Sequence, residues 1–101
     1  MPVPETIDVD PAELRLPHSR WSGADPAKLS RELSKFGTSV QGVPLPWVVR
    51  CRDGLLLITD GVTRATRFAR FHPGVRMAVV VINELPKFRI DHYPRVGDRL
   101  P

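Results

Sequence analysis

The stretch Ile58-Thr59-Asp60-Gly61-Val62-Thr63-Arg64 gathers a carboxylate, a glycine, a hydroxyl and a guanidinium directly after an apolar run. If a strand ends there and a helix begins, the combination is chemistry for holding an anion. The first backbone N–H groups of a helix lack intrahelical partners, and the helix dipole adds partial positive charge at the same place. Glycine lets an anion come close to the backbone, and an arginine on the first turn offers a planar fork for two phosphate oxygens. Gly61, Thr63 and Arg64 are therefore the candidate phosphate-binding residues, at a strand–Gly–helix junction. At about 100° per residue, Arg64, Arg67 and Arg70 share one ridge of that helix. Arg67 and Arg70 read most simply as its solvated face, with Arg67 placed to assist Arg64. Asp60, and more weakly Glu13, are the carboxylates that could serve catalysis; a surface-turn role is the simpler reading for Glu13.

The elements around this junction can be read from capping and periodicity. Thr6 to Val9 alternates polar and apolar, as a short strand does, and Asp10-Pro11-Ala12-Glu13-Leu14 follows as a turn with Pro11 at a first helical position. Leu16 to Ala24 has no period and reads as a loop. Trp21 anchors it to the core, and His18, Ser19 and Arg20 lie where they could fold over the phosphate site. Asp25 caps a helix with Pro26 at its first position, an apolar stripe at Leu29, Leu33 and Phe36, and Gly37 at its end. Lys28, Arg31, Glu32 and Lys35 make its solvated face. A Gly- and Pro-rich loop over 38–46 leads to a strand at Trp47 to Cys51. Asp53-Gly54 then signals a tight hairpin into Leu55 to Thr59. Because Leu55 to Ile58 is apolar throughout, that strand is expected to lie centrally with both faces covered. A second helix is expected from Gly61 to Phe71, with Val62, Ala65, Phe68 and Ala69 buried and Pro73-Gly74 as its stop. A last strand is expected from Val75 to Ile82. Beyond it, residues 83–101 read as an extended, proline-rich tail that packs on or trails a domain of residues 1–82.

The totals bound the rest. The 101 residues, 42% of them hydrophobic, suffice for one domain with one core. A net charge of +4 favours anionic partners, although it also lies in the ordinary range for solubility. Cys51 is the single cysteine, which excludes an intramolecular disulfide and a cysteine-rich zinc site; it reads as a small buried hydrophobe. His18, His72 and His92 have no metal-site spacing, so no metal ligands are assigned. No apolar run is long enough to span a bilayer and the N-terminus has no signal-like core, so no membrane association and a cytoplasmic location are expected.

The order β-α-β-β-α-β predicts a small α/β (α+β) domain with a mixed sheet and two principal helices. From Ile7 to Ile82 the chain resembles the ParB/sulfiredoxin superfamily, with Ile58-Thr59-Asp60-Gly61-Val62-Thr63-Arg64-Ala65 similar to its Asp-Gly-x-x-Arg box. The resemblance implies a nucleotide (CTP or ATP, with Mg²⁺) or a nucleic-acid phosphate held at the box. It assigns close approach to Gly61 and phosphate contact to Arg64, and has Asp60 shape the turn or orient a metal or nucleophile. Two departures count against enzymatic members. Val62 stands where sulfiredoxins need cysteine, and Thr63 stands where many members carry a charged residue before the arginine. The chain also ends before a DNA-reading or dimerisation domain, so a complete partition protein is not expected. Three readings stay open: a phosphate-binding module for a nucleotide or nucleic acid; a metal-dependent nuclease or phosphotransferase using Asp60 and Glu13; and an interaction module for a protein partner, with a vestigial site.

Overall fold

The computed structural model describes residues 4–37 and 44–101. Strand β1 (Glu5–Val9) leads into a 3₁₀ turn at Pro11–Glu13, where the Ala12 N–H donates to the Asp10 carboxylate at 3.0 Å. A second 3₁₀ turn, His18–Arg20, precedes helix α1 (Pro26–Phe36). The caps act as the sequence predicts. The Ala27 N–H donates to Asp25 at 2.9 Å, and Gly37, at φ 61°, returns its N–H to the Leu33 carbonyl. Of the loop expected over 38–46, residues 38–43 lie outside the described residues.

Strands β2 (Trp47–Cys51) and β3 (Leu56–Asp60) form the expected antiparallel hairpin. Asp53 and Gly54 both have positive φ, 64° and 76°, the backbone a primed hairpin turn demands. Helix α2 (Val62–Phe71) follows at once, and strand β4 (Met77–Leu85) closes the sheet. The strand order is β1-β4-β2-β3, with β4 antiparallel to β1 and parallel to β2. Two helices and a four-stranded mixed sheet among the described residues make this an α+β fold.

One expectation is corrected by the pairing. Strand β3 stands at the edge of the sheet, not at its centre. Its free side is covered by the chain at Arg15, whose N–H donates to the Leu56 carbonyl at 2.8 Å and whose carbonyl accepts from Ile58 at 3.0 Å. Both faces are nonetheless packed. Leu56 and Ile58 join one core with Leu14, Val48, Ala65, Ala69, Val79 and Val81, beneath α2. Leu55 and Leu57 join a second core on the opposite face, with Val49, Cys51 and Ile82.

That second core is roofed by the segment expected to be a tail. Strand β4 runs three residues past Ile82, and beyond it Ile90, Tyr93 and Val96 are 0%, 7% and 1% exposed. Ile90 and Tyr93 pack on Val49 and Cys51, while Val96 reaches the core under α2. The Val96 N–H donates to Leu14, the Leu16 N–H to Pro94, and a final 3₁₀ turn (Val96–Arg99) packs on α2 and on the Pro11–Glu13 turn. Residues 86–101 thus complete both cores, while Phe88 is left exposed. Trp21 anchors its loop by stacking on His18 at 4.5 Å and tilting against Tyr93.

Candidate anion-binding cleft

The junction between β3 and α2 is built as the sequence predicts, one residue out of register: Gly61 is the residue before the helix rather than its first member. At φ 101° it adopts a left-handed conformation natural to glycine, and it offers no side chain to cap α2. A Cβ on Gly61 would lie 2.8 Å from Pro46 Cα and 2.9 Å from Arg64 Nη2. The close approach that requires glycine here is therefore made by the protein's own Pro46 and Arg64.

In front of this turn opens a cleft of about 640 Å³. Its floor is Thr59 to Arg64, with Gly61, Thr63 and Arg64 all contributing; one wall is α1 and another is the Pro17–Arg20 segment. Five cationic side chains line it, Arg20, Lys28, Arg31, Lys35 and Arg64, against two carboxylates, Glu32 and Asp60. Such an excess of one sign in a concave site concentrates field and attracts anions. The fold thus brings Ser19 and Arg20 of that loop to the site, whereas His18 is absent from the lining and stacks on Trp21. The fold also brings Lys28, Arg31 and Lys35, which the sequence reading assigned to solvent. Their spacing of three and four residues already placed them on one helix face. What the sequence lacked was a sign that this face looks toward the start of α2.

Arg64 and Asp60 are paired. Arg64 Nη2 donates to Asp60 Oδ2 at 3.0 Å, with the arginine side chain 17% exposed and the carboxylate 63% exposed. Arg64 Nε is buried and has no acceptor among the described residues.

Arg67 does not line the cleft, and the solvated face expected of it is corrected. It is 2% exposed and sits behind the wall. Its Nε donates to Glu32 at 3.0 Å, its Nη1 to the Gly37 carbonyl at 3.0 Å, and its guanidinium lies 5.6 Å from the Phe36 ring centre. A guanidinium is a weakly hydrated, multi-donor cation, which makes it the charged group best suited to burial against a carboxylate and a ring. Arg67 thereby clamps α1 to α2 and neutralises the one acid on the α1 wall. Arg70 is exposed and donates to the Pro101 carbonyl.

The remaining candidates lie elsewhere. Glu13 is absent from the cleft lining and pairs with Arg95 at 3.1 Å. Arg95 also binds Asp98, whose carboxyl is held at about 2 by the hydrogen bond from Arg95. Cys51 is 3% exposed in the second core, and burial pushes its thiol pKa up, as suits a small hydrophobe. Among the described residues no group of three His, Cys, Asp or Glu is placed to hold a metal ion, and no helix is long and apolar enough to cross a membrane. Comparison with protein families, with curated proteins and with solved structures finds no match.

Proposed function

We propose that the protein is a phosphate-binding module whose cleft takes the phosphates of a nucleotide or nucleic acid. The observation that carries this is the lining of the cleft: five cations against two carboxylates, gathered from three separate segments around an uncapped helix start. Cationic residues so distant in sequence repel one another unless something anionic shares them. The charge excess fits a ligand with several negative charges, for which CTP, ATP and a nucleic-acid backbone are all candidates. Thr63 supplies a hydroxyl, Arg64 a fork, and Arg67 acts indirectly by holding the α1 wall. The ParB/sulfiredoxin resemblance belongs to this reading and draws its support from the strand–Asp-Gly–helix junction. The reading also suits the cytoplasm, where such phosphate esters abound. A nuclease or phosphotransferase has less to stand on, because Glu13 is committed to Arg95 and leaves Asp60 as the lone candidate acid of that pair.

Isothermal titration with tripolyphosphate, nucleoside triphosphates and a short single-stranded oligonucleotide tests the proposal. Arg64→Ala is expected to weaken binding by about 1.5–3 kcal/mol, the range for a hydrogen bond to a charged group. Arg70→Ala, outside the cleft, is expected to change little, and affinity is expected to fall as salt rises. Equal losses from both variants would indicate diffuse surface attraction, and no binding of any probe would remove the proposal.

A further inference from the structure

The position of Arg64 at the cleft is informative. The nitrogen that donates to Asp60 at 3.0 Å is the same Nη2 that lies 2.9 Å from where a Gly61 Cβ would be. The guanidinium is therefore drawn back against the turn that feeds α2. The pair is asymmetric: the arginine is largely sheltered, while the carboxylate is 63% exposed at the cleft. Asp60 immediately precedes the uncapped start of α2, so its charge is favourable beside the helix dipole. An incoming anion wants the same dipole and the same fork.

We infer that Asp60 is an internal competitor for the ligand of this cleft, holding Arg64 against the Gly61 turn until a phosphate-bearing anion displaces it. The inference rests on the phosphate-binding reading and adds a selection rule to it. Asp60 is tethered four residues from Arg64, so a free, singly charged carboxylate gains nothing by replacing it. A phosphate chain carries more charge on more oxygens, can grip the fork with two of them, and can engage Arg20 and the α1 cations at the same time. Displaced Asp60 is already solvent-exposed, so its release leaves no buried charge behind.

The test is titration of tripolyphosphate into the wild type, Asp60→Asn, Arg64→Gln, the double variant, and Asp53→Asn. The last makes the same charge change at the β2–β3 turn, outside the cleft, where asparagine suits the left-handed backbone. Removing the competitor is expected to tighten binding roughly three- to tenfold, the scale of an exposed ion pair with added like-charge relief. Asp53→Asn is expected to shift affinity less than about twofold, as a charge beyond the screening length does. In the Arg64→Gln background, Asp60→Asn is expected to keep only the like-charge relief and to lose the part of the gain that came from releasing Arg64. Weaker or unchanged binding in Asp60→Asn overturns the inference, since a carboxylate that aids binding is no competitor. A full gain that persists without Arg64 also overturns it, because simple repulsion would then explain the effect. Failure of both wild type and Asp60→Asn to bind tripolyphosphate would remove the phosphate-binding reading itself, and this inference with it.

Discussion

Two of the arginine clusters of this small protein are built on opposite charge balances. At the C-terminal end, Arg95 is one cation shared by two carboxylates: it reaches Glu13 at 3.1 Å and Asp98 at 3.0 Å. In the cleft, five cations face two carboxylates, and Arg64 keeps a buried Nε without an acceptor among the described residues. The first cluster joins distant parts of one chain, the Pro11–Glu13 turn and the last 3₁₀ turn, and each nitrogen of its guanidinium donates to a carboxylate. The second leaves positive charge over. A cation whose nitrogens all meet carboxylates contributes to architecture, whereas the cleft holds more cations than carboxylates. By this comparison, residues 86–101 are structural, and the surplus charge of the cleft is what the proposed phosphate-binding role draws on.

The sharpest way to break the comparison is to delete the structural side. Ile90 and Val96 are essentially buried, at 0% and 1% exposure, and each contributes about 1.5–3 kcal/mol by burial. Tyr93 adds more, and a domain of this kind has only about 5–15 kcal/mol of net stability. A chain truncated after Leu85 is therefore expected to lose its fold, seen as collapse of amide dispersion in a heteronuclear NMR spectrum. A folded, phosphate-binding fragment 1–85 would show that the segment is an appendage after all.

Arg67 lies between the two cases, because it is structural yet borders the cleft. Removing one member of a buried ion pair strands the other, which costs about 3–5 kcal/mol. Arg67→Met is expected to lose about that much in denaturant unfolding, and to weaken tripolyphosphate binding by freeing the Glu32 carboxylate at the cleft wall. Adding Glu32→Gln is expected to recover part of both losses. If Arg67→Met stayed as stable as wild type and lost only affinity, Arg67 would be a direct ligand contact and the comparison would need redrawing.

These residues also show how far the sequence could be read. The signals at Asp25-Pro26, Gly37, Asp53-Gly54 and Gly61 are local: each depends on one residue's backbone preference or capping chemistry, and each acts where it is expected except Gly61, which stands one residue ahead of its helix. The edge position of β3 was not legible. An apolar run at Leu55–Ile58 has both faces packed wherever it stands, and the covering partner at Arg15 is some forty residues away in the chain. The burial of Arg67 was hidden for the same reason, since its partners Glu32 and Gly37 belong to another helix. Which of packing and trailing the tail adopts is not legible, because its prolines remove periodicity; Ile90, Tyr93 and Val96 pack as single anchors from a segment without a regular stripe. The heart of the cleft was legible at Gly61, Thr63 and Arg64. Its α1 wall was not, because helical spacing says which residues share a face and not what that face meets.

The smallest expected effect probes the satisfied cluster directly. Asp98 is held at about 2 rather than 3.8, first by the hydrogen bond from the Arg95 side chain and then by the Arg95 backbone N–H. A carboxylate whose pKa is lowered by folding stabilises the fold above its unfolded value, and that contribution is lost as pH falls through the folded value. The contribution of Asp98 is therefore complete near neutrality and fades between about pH 4 and 2. Both groups are at the surface, so the effect on overall stability is expected to be slight and the carboxyl titration itself is the better measure. Followed by carboxyl-carbon NMR, Asp98 is expected to titrate at about 2 in the wild type. In Arg95→Gln it is expected to move only part of the way back, because the backbone N–H at 3.0 Å remains. An unchanged midpoint in Arg95→Gln would mean that the backbone alone holds Asp98. The Arg95 guanidinium would then have donors to spare, and the contrast with the cleft would lose its basis. Adding tripolyphosphate to the wild type supplies the complementary reading: amide signals of residues 61–64 are expected to shift, and those of 95–98 to stay where they are.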